Sequence, residues 1–262
     1  MGHLTEMRWF EIQDDYVVGT LPESLGNWRQ LHTLLLGGNY LEGGIPDTFA
    51  QNELLGTIFI DRNNFNGTFP TVFATMKNLE WLDAEQNGFV GTLPAEMGRL
   101  KDLSEFFALL WCCSYRQSTR LAHNFSQMFP FSTRKGILNA NNNSMTGTLP
   151  DSWDENNLIE DFEVAFNKFT GPLPESLSKA KFLKDLRVSH NQLTGSIPIS
   201  YYEFENLEEL YLDANQFTGE LPQTPEPFYD GLQEFSIHSN EFTGRFPVDQ
   251  FEGTFRISKC GN

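Results

Sequence analysis

At 262 residues, with 39% hydrophobic side chains, the chain is long enough to bury a sizeable core, which excludes a wholly disordered polypeptide. Its 18 basic and 35 acidic residues give a formal charge of −17, which argues against nucleic acid and anionic membrane surfaces as partners and favours basic or polar ones. Three cysteines, Cys112, Cys113 and Cys260, two of them adjacent, make no disulfide framework and leave the redox compartment open. No run of about 18 apolar residues occurs, so no membrane span is expected in this chain.

Taken in order, the elements repeat. A Gly-x-(Leu/Ile/Phe)-Pro segment, varied in places, ends at Pro22, Pro46, Pro70, Pro94, Pro150, Pro174, Pro198, Pro222 and Pro247, at intervals of 24, 24, 24, 56, 24, 24, 24 and 25 residues. Upstream of each lies L-x-x-L-x-L-x-x-N-x-(L/F)-x-G, as in Leu207, Leu210, Leu212, Asn215, Phe217 and Gly219. Its L-x-L core has the period of a short strand with one buried face. The Asn that follows, at Asn39, Asn63, Asn87, Asn143, Asn167, Asn191, Asn215 and Asn240, can donate and accept, so a ladder serving the backbone of adjacent turns is expected; Asp15 takes that place in the first unit and can only accept. The Gly and Pro should then turn the chain and end strand pairing. One such unit cannot bury its own apolar edges, so neighbours must stack, about 4.8 Å per strand.

The segments Leu193-Thr194-Gly195-Ser196-Ile197-Pro198 and Phe217-Thr218-Gly219-Glu220-Leu221-Pro222 resemble the plant-type leucine-rich repeat, and nearly the whole chain follows the pattern. The resemblance implies an α/β solenoid: a right-handed superhelix with a parallel sheet on its concave face and short or 3-10 helical turns on its convex face. It also implies partner binding rather than catalysis, as in the ectodomains of receptor-like proteins and receptor-like kinases, and in polygalacturonase-inhibiting proteins. A single domain over residues 1–262, with about nine repeats, is expected.

The interval of 56 residues is interrupted. Removing residues 106–137 joins Leu103-Ser104-Glu105 to Leu138-Asn139-Ala140 and restores the repeat. That stretch holds Arg116, Arg120, Arg134 and Lys135 and no acidic residue, so it reads as foreign material: an intron translated in frame, which its aromatic clusters without turn logic favour, or an island loop. Either way it should be poorly ordered or loop out of the solenoid.

Residues beside the buried leucines point outward. The acidic ones are Glu11, Asp14, Asp61, Asp83, Glu85, Asp161, Glu163, Asp185, Glu209, Asp213 and Glu234, with Glu105 added if the unit is repaired; the aromatic ones are Trp9, Phe59, Trp81, Phe166 and Tyr211; the basic ones are Arg62 and Arg187 alone. The candidate ligand face is Phe59, Asp61, Trp81, Asp83, Glu85, Asp161, Glu163, Phe166, Asp185, Tyr211 and Asp213, suited to a basic peptide or protein segment. An acidic face that merely solubilises a long solenoid is the alternative. Asn66 and Asn142 begin sequons that a secretory compartment would glycosylate, and Asn124 begins a third inside the interruption.

No phosphate loop, metalloprotease helix, nucleophile elbow or kinase signature occurs, and His3, His32, His123, His190 and His238 fall in different units, so neither catalysis nor a metal or cofactor is expected. Two rivals to a receptor-like module are an inhibitor of a cell-wall hydrolase and a piece of a receptor-like kinase whose catalytic domain lies elsewhere. Ice binding ranks last, because it needs outward threonine rows and the outward residues collected above are acidic. The first repeat begins almost at Met1 without a paired-cysteine cap or an apolar leader. This places the chain outside the cell or on its surface if upstream sequence is missing, and in the cytoplasm if Met1 is the true start.

Overall fold

A computed structural model describes residues 6–99, 136–155, 157–221, 231–245 and 256–258. Each repeat contributes a strand to one parallel sheet of ten: β1 (Trp9–Glu11), β3 (Thr33–Leu35), β5 (Thr57–Phe59), β7 (Trp81–Asp83), β9 (Gly136–Asn139), β11 (Ile159–Glu163), β13 (Asp185–Arg187), β15 (Glu209–Tyr211), β17 (Glu234–Ser236) and β18 (Arg256–Ser258). Neighbouring strands pair one repeat apart, Thr33 with Thr57 and Asp185 with Glu209. The alternation in L-x-L therefore superposes like on like. The residues at the centre of successive strands, Leu34, Ile58, Leu82, Leu138, Phe162, Leu186, Leu210 and Phe235, form one unbroken buried row.

Across the interruption the sheet continues: β7 pairs with β9, Trp81 opposite Ile137 and Leu82 opposite Leu138. Gly136 and Ile137, assigned to the insertion from the sequence, belong instead to β9, where Ile137 also faces Asp161. The β-branched Ile137 fills the outward place expected for Glu105. Glu105, the remaining residues 106–135 and the three cysteines lie outside the described residues.

The Leu-x-Gly segment, expected only to turn, builds a second parallel sheet of eight: β2 (Val18–Thr20), β4 (Tyr40–Gly43), β6 (Asn64–Thr68), β8 (Gly88–Gly91), β10 (Ser144–Gly147), β12 (Lys168–Gly171), β14 (Gln192–Gly195) and β16 (Gln216–Phe217). Its inward column is Leu41, Phe65, Phe89, Met145, Phe169, Leu193 and Phe217, all buried, so phenylalanine does take places open to leucine. Glycine closes each of these segments at positive φ, for example Gly67 at +84° and Gly195 at +82°, where a side chain would strain the backbone. The proline does not merely end pairing. Pro46, Pro70, Pro174 and Pro198 precede 3-10 turns at Asp47–Gln51, Thr71–Thr75, Glu175–Lys179 and Ile199–Glu203, each with extended ψ and each accepting the turn's first backbone bond.

Between the two sheets runs the asparagine ladder. Asn63 accepts the Leu41 N–H (3.0 Å) and donates to the carbonyls of Leu36 (2.9 Å) and Ile60 (3.2 Å), so one side chain serves three backbone groups across two units. The same set recurs at Asn39, Asn87, Asn143, Asn167, Asn191, Asn215 and Asn240. Asn143 spans the interruption, accepting from Phe89 N–H and donating to Ala84 O. Asp15, with no amide to donate, stays exposed and offers only its backbone N–H to Asn39 (3.2 Å).

Candidate ligand-binding face

The open face of the ten-stranded sheet is set by register. One column runs Trp81, Ile137, Asp161, Asp185, Glu209 and Glu234; the next runs Phe59, Asp83, Asn139, Glu163, Arg187 and Tyr211. Beyond the strands, the residue before each ladder asparagine is left-handed: Arg62, Gln86, Asn142, Phe166, His190 and Ala214 have φ between +48° and +55°. This conformation is costly for a bulky residue, yet Phe166 holds it half exposed, its ring stacked on His190 at 4.2 Å.

Two aromatic groups mark the face. Phe59 and Trp81 meet edge to face, centroids 4.0 Å apart. Tyr211 lies under Arg187, whose guanidinium is 4.7 Å from the ring centre, and donates a short hydrogen bond to Glu234.

The charges are less uniform than the sequence suggests. Arg187 Nη2 reaches Asp185 (2.8 Å) and Glu209 (2.6 Å), and Nε lies 3.8 Å from Glu163. Burial works against its charge, yet these carboxylates keep the guanidinium firmly ionised. Arg62 holds Asp61 (2.8 Å) and Asp14 (3.3 Å). Asp213 accepts the Ser189 hydroxyl (2.6 Å), and the Nε2 atoms of His190 and His238 stand 3.7 and 3.6 Å from its other oxygen. Arg62, Arg187, Ser189, His190 and His238, left out of the candidate set, thus neutralise or orient much of it. They stand in the same register columns, and that was the signal available.

Asp83 and Glu85 differ. Among the described residues no cation pairs with either. Asp83 accepts the backbone N–H of Glu85 (3.1 Å). Glu85 accepts amide hydrogens from Asn139 (3.1 Å), Gln86 (3.1 Å) and Asn142 (3.2 Å). The two are only partly exposed. Glu163, likewise half-buried, accepts from Asn141 (2.7 Å), while Asp161 faces Ile137 and Asp185.

Burial is the main force on these carboxyls. It raises Asp185 to about 8, against the lowering by Arg187 and with help from Glu163 and Glu209; it raises Asp83 well above the ordinary range, seconded by Asp61, and raises Glu163 and Asp61 too. A carboxyl so raised holds a proton in the folded chain that the unfolded chain releases near 3.8. Folding stability is therefore highest below the window and declines as pH rises from 3.8 toward about 8. The urea midpoint is expected to be higher at about pH 5.5 than at about pH 8.5, with Asp185→Asn narrowing the difference. A midpoint that climbs with pH across this window would contradict the assignment.

The two sequons fall on different surfaces. Asn66 is exposed on β6 of the second sheet, whereas Asn142 stands on the rim of the ligand face with its amide on Glu85; Asn124 lies outside the described residues. The second sheet also shows what the sequence reading overlooked. Thr146, Thr170, Thr194, Thr218 and Thr243 recur at one place in the repeat, and Thr20, Thr68, Thr92 and Thr148 at another. The strands pair two residues off that repeat, however, so Thr146 faces Lys168, Thr170 faces Gln192, Thr194 faces Gln216, Thr243 faces Glu220, Thr20 faces Glu42 and Thr68 faces Val90.

Among the described residues, no group of three or more His, Cys, Asp or Glu is placed to hold a metal, and no helix is long and apolar enough to cross a membrane.

Two stacked parallel sheets, a shared asparagine ladder and a 3-10 turn after each proline define a leucine-rich-repeat solenoid of the plant type. The Leucine Rich Repeat family model matches residues 30–52, 182–203 and 206–228. Among solved structures the chain is similar to a TDR receptor, at 26% identity and a TM-score of 0.77, over 95% of this chain and 37% of that one. It is similar to the plant peptide hormone receptor RGFR1 in complex with RGF2, at 24% identity and a TM-score of 0.71, over 87% of this chain and 31% of that one. It also resembles a plant ice-binding protein, at 22% identity and a TM-score of 0.70, over 99% of this chain and 75% of that one. The chain thus spans about a third of these two receptor chains. No curated protein sequence gives a significant match.

Proposed function

We propose that the chain is a non-catalytic recognition module that binds a peptide or protein segment across the open face of the ten-stranded sheet. The observation that carries this reading is the partly exposed, preorganised aromatic set on one face, Phe59 against Trp81, Phe166 held at positive φ on His190, and Tyr211 under Arg187, on a fold with no catalytic motif in its sequence. Rigid aromatic anchors ringed by oriented carboxylates suit a basic segment. The fold shared with peptide hormone receptors supports an extracellular, receptor-like setting. A secreted inhibitor of a cell-wall hydrolase would use the same face; its partner would be a folded enzyme in place of a short peptide. The threonines of the second sheet do not displace this reading, because in register they face Lys168, Gln192, Gln216 and Glu220 instead of one another.

Selection of a displayed random peptide library on the whole chain tests the proposal. Selected peptides are expected to bind at least tenfold more weakly to Phe166→Ala and Tyr211→Ala, and equally well to Thr170→Ala on the second sheet. Peptides that tolerate both face variants, or a selection that enriches none, would overturn it.

A further inference from the structure

On the carboxyl-terminal half of the open face, one carboxylate stands between two histidines. Asp213 is buried; its Oδ1 accepts the Ser189 hydroxyl at 2.6 Å, while Oδ2 lies 3.7 Å from His190 Nε2 and 3.6 Å from His238 Nε2. Backbone bonds hold the three in adjoining units: the His190 N–H donates to Asp213 O and the Ala214 N–H donates to His238 O, both at 2.9 Å. Each imidazole stops just beyond hydrogen-bond length, and a proton on either turns the contact into an ion pair. Among the described residues no lysine or arginine reaches Asp213, and the neighbouring Arg187 is committed to Asp185, Glu209 and Glu163.

The strands packed around this group supply its other charged and titratable neighbours. The unit before His190 presents Phe166, stacked on the imidazole at 4.2 Å, and Glu163; its own strand presents Asp185 and Arg187. The following strands present Glu209 and Tyr211, then Glu234, and β18 sets Arg256 opposite Glu234. Histidine is the side chain that changes charge between about pH 5 and 8. With both rings neutral the group carries the single negative charge of Asp213; with both protonated it carries one positive charge. That reversal takes place beside Phe166 and Tyr211, two anchors of the face. Asp185, raised by burial to about 8, gives up negative charge in the same direction as the pH falls.

Resting on the reading above that this face binds a basic segment, we infer that His190, Asp213 and His238 form a proton-operated switch on that binding: the carboxyl-terminal half of the face holds a cationic ligand while both imidazoles are neutral and releases it as they take up protons. The aromatic rings offer contact area at any pH. The switch sets the sign of the charge beside them, and so whether a ligand's cation is drawn in or repelled.

The test uses the whole chain and a peptide selected on it from a displayed library made without His, Asp, Glu or Cys, so that the probe's own charge is constant. Its Kd is expected to be at least fivefold larger at about pH 5.5 than at about pH 7.5 in dilute salt. The double variant His190→Gln, His238→Gln should reduce that ratio at least threefold, the remainder belonging to Asp185 and the other buried carboxyls. His32→Gln, at the far end of the same sheet, should leave the ratio unchanged. Circular dichroism at both pH values checks folding, and His190→Gln alone, which alters a half-exposed ring, stands in if the double variant fails to fold; it should reduce the ratio at least 1.5-fold. A readout without ligand follows the Phe166 ring signals by NMR, which should move between the two pH values in the parent chain and stay in place in His190→Gln. An unchanged ratio in the histidine variants, or Phe166 signals that ignore pH, would overturn the switch. If the selected peptide responds to Phe166→Ala and Tyr211→Ala at about pH 7.5 while its ratio ignores the histidines, the switch fails and the broader reading stands. If the selection enriches no peptide, both fail.

Discussion

Replacing Asn191 with alanine is expected to lower folding stability by about 3 kcal/mol, a large effect for one polar side chain. Asn191 is buried, accepts the Phe169 N–H (2.9 Å) and donates to Val164 O and Val188 O, both at 3.0 Å. Alanine leaves these backbone groups unpaired between the sheets, where each lost partner costs about 1 kcal/mol or more. Asn191→Asp separates the two halves of the role. It keeps the acceptor for Phe169 but turns lone pairs toward two carbonyls, so it should be at least as damaging at neutral pH and milder in acid, where the protonated carboxyl can donate again. Urea unfolding measures both variants. A loss under about 1 kcal/mol in Asn191→Ala would mean that water replaces the amide and that the ladder is not the spine of the stack.

The other large effect belongs to the aromatic core. Phe89 is fully buried between the sheets, its ring stacked 6.4 Å from Phe65 and edge-on to Phe69 at 5.7 Å. Phe89→Ala opens a cavity bounded by rings that cannot collapse without shifting two repeats, and should cost about 4 kcal/mol. Phe89→Leu should cost less than about 1.5 kcal/mol, because Leu41 and Leu193 fill the same column elsewhere in the stack. Because each repeat contacts only its neighbours, the alanine variant should also show a shallower urea transition, as the two sides of the damaged layer lose cooperativity. Equal stability of the two variants would show that the column tolerates voids and that the aromatic stacking adds nothing.

Asparagine and phenylalanine illustrate what periodicity makes legible. Asn191 could be assigned its role from its place after L-x-L, since a side chain with both donor and acceptor at a fixed offset in every unit has one economical use in a stack. The buried row from Leu34 to Phe235 was equally plain, because strand alternation is local and the repeat copies it faithfully. The second sheet was not. Gly-Thr and Leu-Pro segments read as turns, and only the pairing of one repeat with the next makes them strands. That reading as turns also hid the repeated threonines, which lie on these strands or just beyond their ends.

The ligand face shows the same division. Register alone placed Trp81, Asp83, Arg187 and Tyr211 on one surface, because strand positions an odd number of residues from the buried leucines cannot point elsewhere. It could not say that Arg187 consumes the charge of Asp185 and Glu209, since ion pairing depends on side-chain reach between strands a full repeat apart in sequence. Nor could it fix the end of the interruption, because Glu105 and Ile137 both fit a position whose neighbours only the assembled sheet supplies. Repeat length, inward faces and the asparagine ladder were therefore determined by the sequence itself, through local periodicity. The second sheet and the pairing of charges were decided by tertiary structure, because each depends on which residues of different repeats come within a few ångströms of one another.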